Sequence, residues 1–168
     1  MKSKNSQNNS RSQAINNNGR LKIVPSVFAA IIEDEKVLLI RRANTGWMDG
    51  YYDLPAGHLE DQEHLKDGAI RELEEEAGIK AKPEDLKLIH IHQNHHRPET
   101  PHYGYIFLVA KWDGKPSLVE PEKSDDINFF ELDKLPEKIT PYVKEALTHL
   151  GDSEVSISYH APGSIKTD

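Results

Sequence analysis

A chain of 168 residues, 36% of them hydrophobic, is long enough for one domain with a single core and short tails. Its 28 acidic and 21 basic residues give a net charge of −7, which argues against general binding to a nucleic-acid backbone or an anionic membrane. A phosphorylated small molecule is still compatible, because a bound divalent cation can reverse the local field. No cysteine is present, so disulfides, thiolate nucleophiles and cysteine-based zinc sites are excluded.

The hydropathy pattern predicts no membrane segment. The longest apolar runs, Val27–Ile32 and Tyr105–Ala110, are six residues long, whereas a membrane helix needs about 20. The basic N-terminus is not followed by the apolar region of a signal peptide. We therefore expect a cytoplasmic, soluble protein with no nucleic-acid polymer and no membrane as partner.

The composition divides the chain into three parts. Residues 1–20 are rich in Asn and Ser and offer little to bury, so they are predicted to be a disordered tail. Residues 21–152 are predicted to form the folded domain. Residues 153–168 are weakly patterned and are predicted to be a C-terminal tail, with a terminal strand as the alternative.

Strand patterns open the domain. The runs LKIVPSVFAAIIED and KVLLIRR predict two strands joined by a turn around Glu33–Glu35, and YYDLPAG predicts a short extended piece that leads to Gly57. Further along, LKLIHIHQNHH and HYGYIFLVAKW predict a strand pair, and INFFEL predicts another short strand.

Helix patterns lie between and after these strands. Apolar residues recur every four positions in the first predicted helix, 63–77, at Leu65, Ala69, Leu73 and Ala77. Gly78 stands where the glycine that ends a helix belongs. The run PYVKEALTHL predicts a last helix with proline in its first turn. Together the elements predict an α/β fold with a mixed sheet flanked by helices.

Three glutamates of the first helix point to chemistry. Glu72, Glu75 and Glu76 are spaced three and four residues apart, so their carboxylates share one helix face and repel each other. Converging hard oxygen ligands are what Mg²⁺ or Mn²⁺ requires, and a cation would turn that repulsion into binding. Arg71 can hold one of the carboxylates. A solvated acidic helix face is the alternative interpretation of the same charges.

The spacing around these glutamates resembles the signature of the Nudix hydrolases. That signature reads Gly, five residues, Glu, seven residues, Arg-Glu-apolar-any-Glu-Glu-any-Gly-apolar. The matching residues here are Gly57, Glu63, Arg71, Glu72, Leu73, Glu75, Glu76, Gly78 and Ile79. The resemblance implies an α/β/α sandwich that hydrolyses a phosphoanhydride in a nucleoside diphosphate linked to another group.

The resemblance also implies roles for single residues. Glu75 and Glu76 would be metal ligands, and Glu72 a ligand or the general base, with a backbone carbonyl at Ala56–Gly57 as a further ligand. Mg²⁺ is the implied cofactor, with Mn²⁺ as a substitute. Three residues would have a structural role within the motif: Glu63 and Arg71 as an ion pair, and Gly78 at the helix end.

Residues outside the motif complete the expected site. Glu120 or Glu122, with Asp125 and Asp126 as weaker candidates, would supply a further metal ligand, although an acidic surface loop explains them equally well. Arg41 or Arg42 would contact phosphate. Trp47, Tyr51 and Tyr52 would stack on a base or sugar, or belong to the sheet surface.

The nine histidines allow two interpretations. His90, His92, His95 and His96 are close in sequence, but they lack an acidic or cysteine partner at a recognisable zinc-site spacing. A substrate-facing role for one of them, with His92 as the candidate, or for His102, is favoured over zinc. Surface exposure explains many of the others.

The substrate is inferred mainly by exclusion. The stretch Gln93-Asn94-His95 fits neither the proline typical of ADP-ribose enzymes nor the tyrosine typical of dinucleoside-polyphosphate enzymes. A MutT-like enzyme that converts a nucleoside triphosphate to a monophosphate and pyrophosphate is therefore expected. The alternatives are an ADP-ribose or nucleotide-sugar pyrophosphatase of the same superfamily and a non-catalytic module that senses a nucleotide. Members of the superfamily are often homodimers, so a homodimer is compatible with the resemblance.

Overall fold

The computed structural model describes residues 15–97 and 99–165, and the first fourteen residues of the predicted N-terminal tail lie outside these ranges. The helices are α1 (Leu65–Ala77) and α2 (Pro141–Leu147), with a 3-10 turn at Pro83–Asp85. The strands are β1 (Val24–Glu33), β2 (Lys36–Arg42), β3 (Tyr52–Asp53), β4 (Ala56–His58), β5 (Lys80–Ala81), β6 (Leu86–Asn94), β7 (His102–Val109), β8 (Trp112–Asp113), β9 (Ser124–Glu131) and β10 (Ser156–His160).

A mixed sheet of eight strands forms the centre of the domain. Its main path is β10-β6-β7-β1-β2-β3, while β4 pairs with β1 and β9 pairs with β2. β1 is parallel to β7 and β10 is parallel to β6, whereas the β1–β2, β2–β9 and β6–β7 pairs are antiparallel. The prediction of an α/β fold with a mixed sheet is confirmed.

The turn expected around Glu33–Glu35 is a tight hairpin. Glu33 pairs with Lys36, so the loop contains only Asp34 and Glu35. Both loop residues have positive φ, 48° and 60°. That backbone twist matches the right-handed twist of the flanking strands, as in the two-residue turns that hairpins favour.

The sheet is covered by a helix on each face. Alternate residues of β1 point to opposite sides, so Val27, Ala29 and Ile31 pack on the α1 side while Phe28 and Ala30 pack on the α2 side. All five are buried, which explains the nearly continuous apolar run of this central strand. The result is the α/β/α arrangement that the resemblance implied.

Within the segment predicted as a C-terminal tail, the structure has the alternative, a terminal strand. Residues 156–160, expected as part of a tail, form β10, which is hydrogen-bonded along its length to β6. Weak hydrophobic patterning hid this strand, because only its Ser158 is buried and its apolar side chains are exposed. Among the described residues, no helix is long and apolar enough to cross a membrane.

Candidate active site

Packing and caps fix how helix α1 presents its glutamates. Ala69, Leu73 and Ala77 are buried against the sheet, which sets the rotation of the helix. The helix begins after His64, whose ring accepts a hydrogen bond from the Lys66 backbone N–H. It ends at Gly78, which has a φ of 69° and donates its N–H to the carbonyl of Glu74. Three carboxylates lie on the side that faces β4: Glu72, Glu75 and Glu76.

The backbone of β4 lies directly against two of these carboxylates. A Cβ at Gly57 would stand 2.0 Å from Oε1 of Glu72, so only glycine allows this approach. The backbone N–H of Ala56 donates to Oε2 of Glu76 at 2.9 Å. The short segment before the helix therefore forms one wall of a cluster of oxygen atoms.

Arg71 ties the segment between β4 and α1 to the helix. Its guanidinium contacts both carboxylate oxygens of Glu63, at 2.8 and 3.0 Å. It also donates to the carbonyl of His58 at 3.1 Å, to Oε1 of Glu72 at 2.6 Å and to Oε2 of Glu75 at 3.2 Å. One side chain thus connects the loop before the helix with two of the three clustered glutamates.

Burial gives these glutamates unusual electrostatics. Burial raises the pKa of Glu76 to about 8, despite the hydrogen bond from Ala56, and the charge of Glu72 adds to the effect. Burial also raises the pKa of Glu72 against the opposing influence of Arg71. By contrast, the hydrogen bond from Arg71 lowers the pKa of Glu63. Two carboxylates thus lie where a negative charge is poorly solvated.

A cavity of about 660 Å³ opens next to this cluster. Its acidic end is formed by Glu72, Glu75 and Glu76. Four cationic side chains also line it: Arg42, Arg71, Arg97 and Lys123. Its inner end is lined by uncharged or aromatic side chains: Phe28, Trp47, His92, Asn94 and Tyr142. The cavity therefore has a charged end and a largely uncharged end.

The two candidate arginines at the end of β2 point in different directions. Arg42 lines the cavity, whereas Arg41 is not among the described residues that line it. The pairing of β2 with β9 is irregular between these two residues, and Arg41 pairs with Asp125 at 2.7 Å away from the cavity. Arg42 instead donates to the carbonyl of Trp47 and lies 3.6 Å from Asp53.

The two candidate tyrosines lie elsewhere. Tyr52 donates its hydroxyl to Asp126 and packs against the ring of Phe130, and Tyr51 lies under the ammonium group of Lys138 at 5.7 Å. Neither tyrosine is among the described residues that line the cavity. Trp47 does line it, so the structure brings only one of the three predicted aromatic residues to the cavity.

Asp53 and Tyr142 form a buried pair in the cavity wall. Tyr142 donates its hydroxyl to Oδ2 of Asp53 at 2.9 Å, and the Leu54 backbone N–H donates to Oδ1 at 2.9 Å. Burial raises the pKa of Asp53, and burial also raises the pKa of Tyr142. The sequence analysis did not select either residue. Asp53 within the run YYDLPAG was a usable signal, because a carboxylate is rarely buried unless it has a partner or a role.

The histidines of β6 are core residues with different partners. His90 lies 2.6 Å from the hydroxyl of Ser156 and 2.9 Å from that of Ser158, so both of its ring nitrogens have a partner. His92 is 2% exposed, and neither of its ring nitrogens has a hydrogen-bond partner. Burial lowers the pKa of His92 to about 3, so its ring is uncharged at neutral pH.

Comparison with known proteins decides the family. A family model described as the NUDIX domain matches residues 22–150. The chain belongs to the Nudix family. The resemblance seen in the motif is therefore confirmed, and with it the expected enzyme class, a hydrolase that acts on pyrophosphate bonds.

Individual Nudix relatives agree with this assignment. The chain is 31% identical over 120 residues to an ADP-ribose pyrophosphatase of Methanocaldococcus jannaschii, a match that covers 70% of this chain and 68% of that protein. It is 33% identical over 84 residues to the phosphatase NudJ of Escherichia coli, which covers only 50% of this chain and 52% of NudJ. Among solved structures, the MutT NUDIX hydrolase of Burkholderia pseudomallei superposes with a TM-score of 0.71 at 27% identity, covering 77% of this chain and 98% of that chain.

Nudix hydrolases use divalent metal ions, and the donor set of this chain fits one. Within residues 15–97 and 99–165, no three His, Asp or Glu side chains converge into a ready-made metal cluster, because Arg71 lies between Glu72 and Glu75. The available donors are nevertheless hard oxygens, as Mg²⁺ and Mn²⁺ prefer. The close contact between Gly57 and Glu72 and the poorly solvated Glu76 both favour a cation at this point.

The acidic residues predicted as further metal ligands differ in their relation to the cluster of Glu72, Glu75 and Glu76. Glu120 pairs with Lys123 at 2.8 Å, and its negative charge contributes to the raised pKa of Glu72 and Glu76, after burial. Asp125 and Asp126 are engaged by Arg41 and Tyr52 on the outer side. Sequence reasoning also missed Lys123, because a lysine in an acidic loop carries no sequence signal for a cavity.

Proposed function

We propose that this protein is a Mg²⁺-dependent pyrophosphohydrolase of nucleotides. The observation that carries the proposal is the buried carboxylate of Glu76, fixed by Ala56, beside Glu72 at the acidic end of a cavity of nucleotide size. When bound there, Mg²⁺ would neutralise diphosphate charge and lower the pKa of a bound water. Mn²⁺ would substitute, because it prefers the same ligands.

The chain's own residues would share this task. Glu75 and Glu76, with the carbonyl of Gly57, would hold the cation, and Glu72 would act as a ligand or as the general base that accepts the proton of the attacking water. Glu120 is the preferred further ligand, because its charge already acts on Glu72 and Glu76, and Glu122 is the alternative. Arg42 would bind substrate phosphate from the cavity wall.

The first candidate substrate is a nucleoside triphosphate, cleaved to a monophosphate and pyrophosphate. The absence of the ADP-ribose and dinucleoside-polyphosphate signatures at Gln93-Asn94-His95 supports it. The likeness to a MutT NUDIX hydrolase of Burkholderia pseudomallei also supports it.

The second candidate is ADP-ribose or a nucleotide sugar, favoured by the match to the Methanocaldococcus protein named ADP-ribose pyrophosphatase. A non-catalytic module that only senses nucleotides is a third candidate, from a different functional class. The full set of Glu72, Glu75 and Glu76 argues against it, because binding alone does not require all three carboxylates.

One assay separates these candidates. The purified protein is incubated with a panel of nucleoside triphosphates, ADP-ribose and nucleotide sugars, in Mg²⁺ or Mn²⁺, and phosphate, pyrophosphate and nucleotide products are quantified. Pyrophosphate from a triphosphate supports the first candidate. AMP with a sugar phosphate supports the second and excludes the first. Binding without cleavage of any compound would refute the hydrolase and favour the sensing module.

A further inference from the structure

Both ring nitrogens of His92 lack a hydrogen-bond partner among the described residues, whereas His96 in the same cavity has one such nitrogen, Nδ1. Both ring nitrogens are buried, and neither is within hydrogen-bonding distance of a described group. His90, two residues earlier on β6, bonds through both nitrogens to serines of β10. Buried polar atoms without partners cost stability and are rare in native structures, so the unpaired ring of His92 calls for a partner from outside the chain.

The surroundings of His92 fix its ring in the cavity wall. One face stacks on Tyr142, with ring centroids 4.6 Å apart and an angle of 12° between the rings, and Phe28 meets it edge-on at 5.2 Å. The edge with Nε2 lies over Gly104, where a Cβ would come within 1.9 Å of that nitrogen. Tyr142 is itself held by its hydrogen bond to Asp53. The orientation of the imidazole is therefore set by three neighbours.

The position of His92 relative to the acidic cluster suits the far end of a nucleotide. Phe28 pairs with Ala56 in the β1–β4 ladder, and Ala56 contacts Glu76, so Phe28 lies between the two ends of one cavity. Asn94 follows His92 on the same face of β6 and also lines the cavity. The immediate surroundings of His92 thus offer the rings of Phe28 and Tyr142 and the neutral amide of Asn94, which match an uncharged heterocycle rather than a phosphate.

We propose that His92 is a specificity-determining residue that hydrogen-bonds the nucleobase of the substrate, with Tyr142 and Gly104 as its positioning residues. This inference rests on the proposed function, in that the base belongs to the nucleotide bound at the acidic end. An uncharged imidazole carries one donor and one acceptor, so it distinguishes bases by the groups on their edges. Its burial keeps it uncharged across the physiological pH range.

The test that does not depend on turnover uses the wild-type protein labelled with ¹⁵N-histidine. The ring signals of His92, assigned by their loss in His92→Phe, are followed by NMR as a nucleoside monophosphate is added. We expect them to shift with the monophosphate and not with ribose 5-phosphate, which lacks only the base. No shift with any of the four common bases, or an equal shift with ribose 5-phosphate, would overturn the proposal.

Kinetics provide the second test. His92→Phe keeps an aromatic ring but removes hydrogen bonding, so kcat/KM for the preferred nucleotide should fall about 10- to 100-fold, mainly through KM, and discrimination among bases should narrow. His92→Gln, with a donor and an acceptor, should recover part of the loss. Gly104→Ala should also narrow the discrimination among bases, because its Cβ would displace the ring of His92. Gly151→Ala is the control and should leave the discrimination unchanged, because no atom lies within 4 Å of its Cβ.

The outcomes separate the two proposals. Cleavage of nucleotides with base discrimination unchanged in His92→Phe and Gly104→Ala would overturn the role of His92 and leave the hydrolase standing. A base-dependent NMR shift in a protein that cleaves nothing would overturn the hydrolase and support base recognition by His92.

Discussion

The two ends of the cavity are built in opposite ways. The acidic end comes from one continuous segment, in which β4 and α1 hold Glu72 and Glu76 against the backbone of Ala56 and Gly57. The inner end is assembled from strands and a helix far apart in the chain. Aromatic rings and Asn94 surround His92 there, and the buried carboxylate of Asp53 lies 3.6 Å from the guanidinium of Arg42. The acidic end holds a carboxylate, Glu76, whose negative charge is poorly solvated. The inner end holds the ring nitrogens of His92, which have no hydrogen-bond partner among the described residues.

This difference separates chemistry from selection within one site. A cluster of poorly solvated carboxylates gains most from a cation and can serve any diphosphate, so it carries no preference for a base. Neutral groups in a buried wall gain most from a matching neutral partner, and they penalise a ligand that leaves them unpaired. Changes at the acidic end should therefore alter turnover, and changes at the inner end should alter stability or substrate preference.

The largest effect is expected for Glu76→Gln. The amide keeps the size and accepts the hydrogen bond from Ala56 but loses the charge that would hold the cation, so kcat/KM should fall by at least about 100-fold while the fold is retained. Steady-state hydrolysis and circular dichroism check this. Glu74→Gln is the matched control, because Glu74 lies on the same helix but is exposed and pairs with the exposed Lys80 at 3.4 Å. Equal losses in both variants would contradict the assignment.

The next effect is a pH dependence of stability at the inner end. His92 has a pKa lowered by burial to about 3, against about 6.5 in an unfolded chain. The unfolded chain therefore binds the proton first, so the stability this group contributes is present above pH 6.5 and is lost as the pH falls toward 3. Urea unfolding between pH 6.5 and 4.5 should show a slope up to about 1.4 kcal/mol per pH unit steeper in the wild type than in His92→Phe.

The other histidines are present in both the wild type and His92→Phe, so their contributions to the slope cancel in the difference between the two proteins. They include His90, whose pKa is also lowered by burial. Identical slopes in the two chains would mean that the imidazole of His92 is solvated, and the contrast between the two cavity ends would lose its basis.

A smaller effect should distinguish the two arginines at the end of β2. Arg42→Ala removes a cation from the cavity wall and should lower kcat/KM about tenfold. Arg41→Ala removes an outward-facing cation that contacts Asp125 and the ring of Tyr52, so it should change kcat/KM less than about twofold. Parallel hydrolysis assays of both variants check this. A larger loss in Arg41→Ala would show that phosphate is bound from the opposite face of β2.

The smallest effect is expected for Tyr142→Phe. This change keeps the ring that stacks on His92 but removes the hydroxyl that bonds the buried carboxylate of Asp53, so the free energy of unfolding should fall by about 1 kcal/mol. Urea denaturation measures it, with the exposed Tyr159→Phe as control. A stability unchanged from the wild type would mean that water replaces the hydroxyl and that the pair is not sealed in the wall.

The sequence was sufficient for the acidic end and most of the fold. Helical spacing placed α1 to within two residues at its start, and alternating apolar runs placed the main strands. The cluster of three glutamates was predictable because all three lie on one helix, where the spacing in sequence determines which side chains are neighbours. Gly57, which the resemblance to the Nudix signature selected, stands at the close approach of β4 to Glu72.

The inner end was predicted only in part, for the complementary reason: His92 and Trp47 were candidates, but the residues that meet them were not. Phe28, Asp53, His92 and Tyr142 meet only through the pairing of strands and the docking of α2. Which of two neighbouring residues faces a cavity depends on the pleat, so Arg41 and Arg42 were indistinguishable, and a shift of one residue exchanges them. β10 remained only an alternative to a tail, because a parallel edge strand with exposed apolar side chains lacks the alternation of a half-buried strand.

The pairing of β10 with β6 also has a consequence for how the cavity is completed during synthesis. β6 leaves the ribosome well before β10, yet Ser156 and Ser158 supply the partners of His90, two residues from His92 on the same strand. Until β10 docks, the ring nitrogens of His90 face solvent and β6 is an open sheet edge. The partners of His90 therefore come from serines of the last strand, and this side of the sheet is completed only when β10 docks.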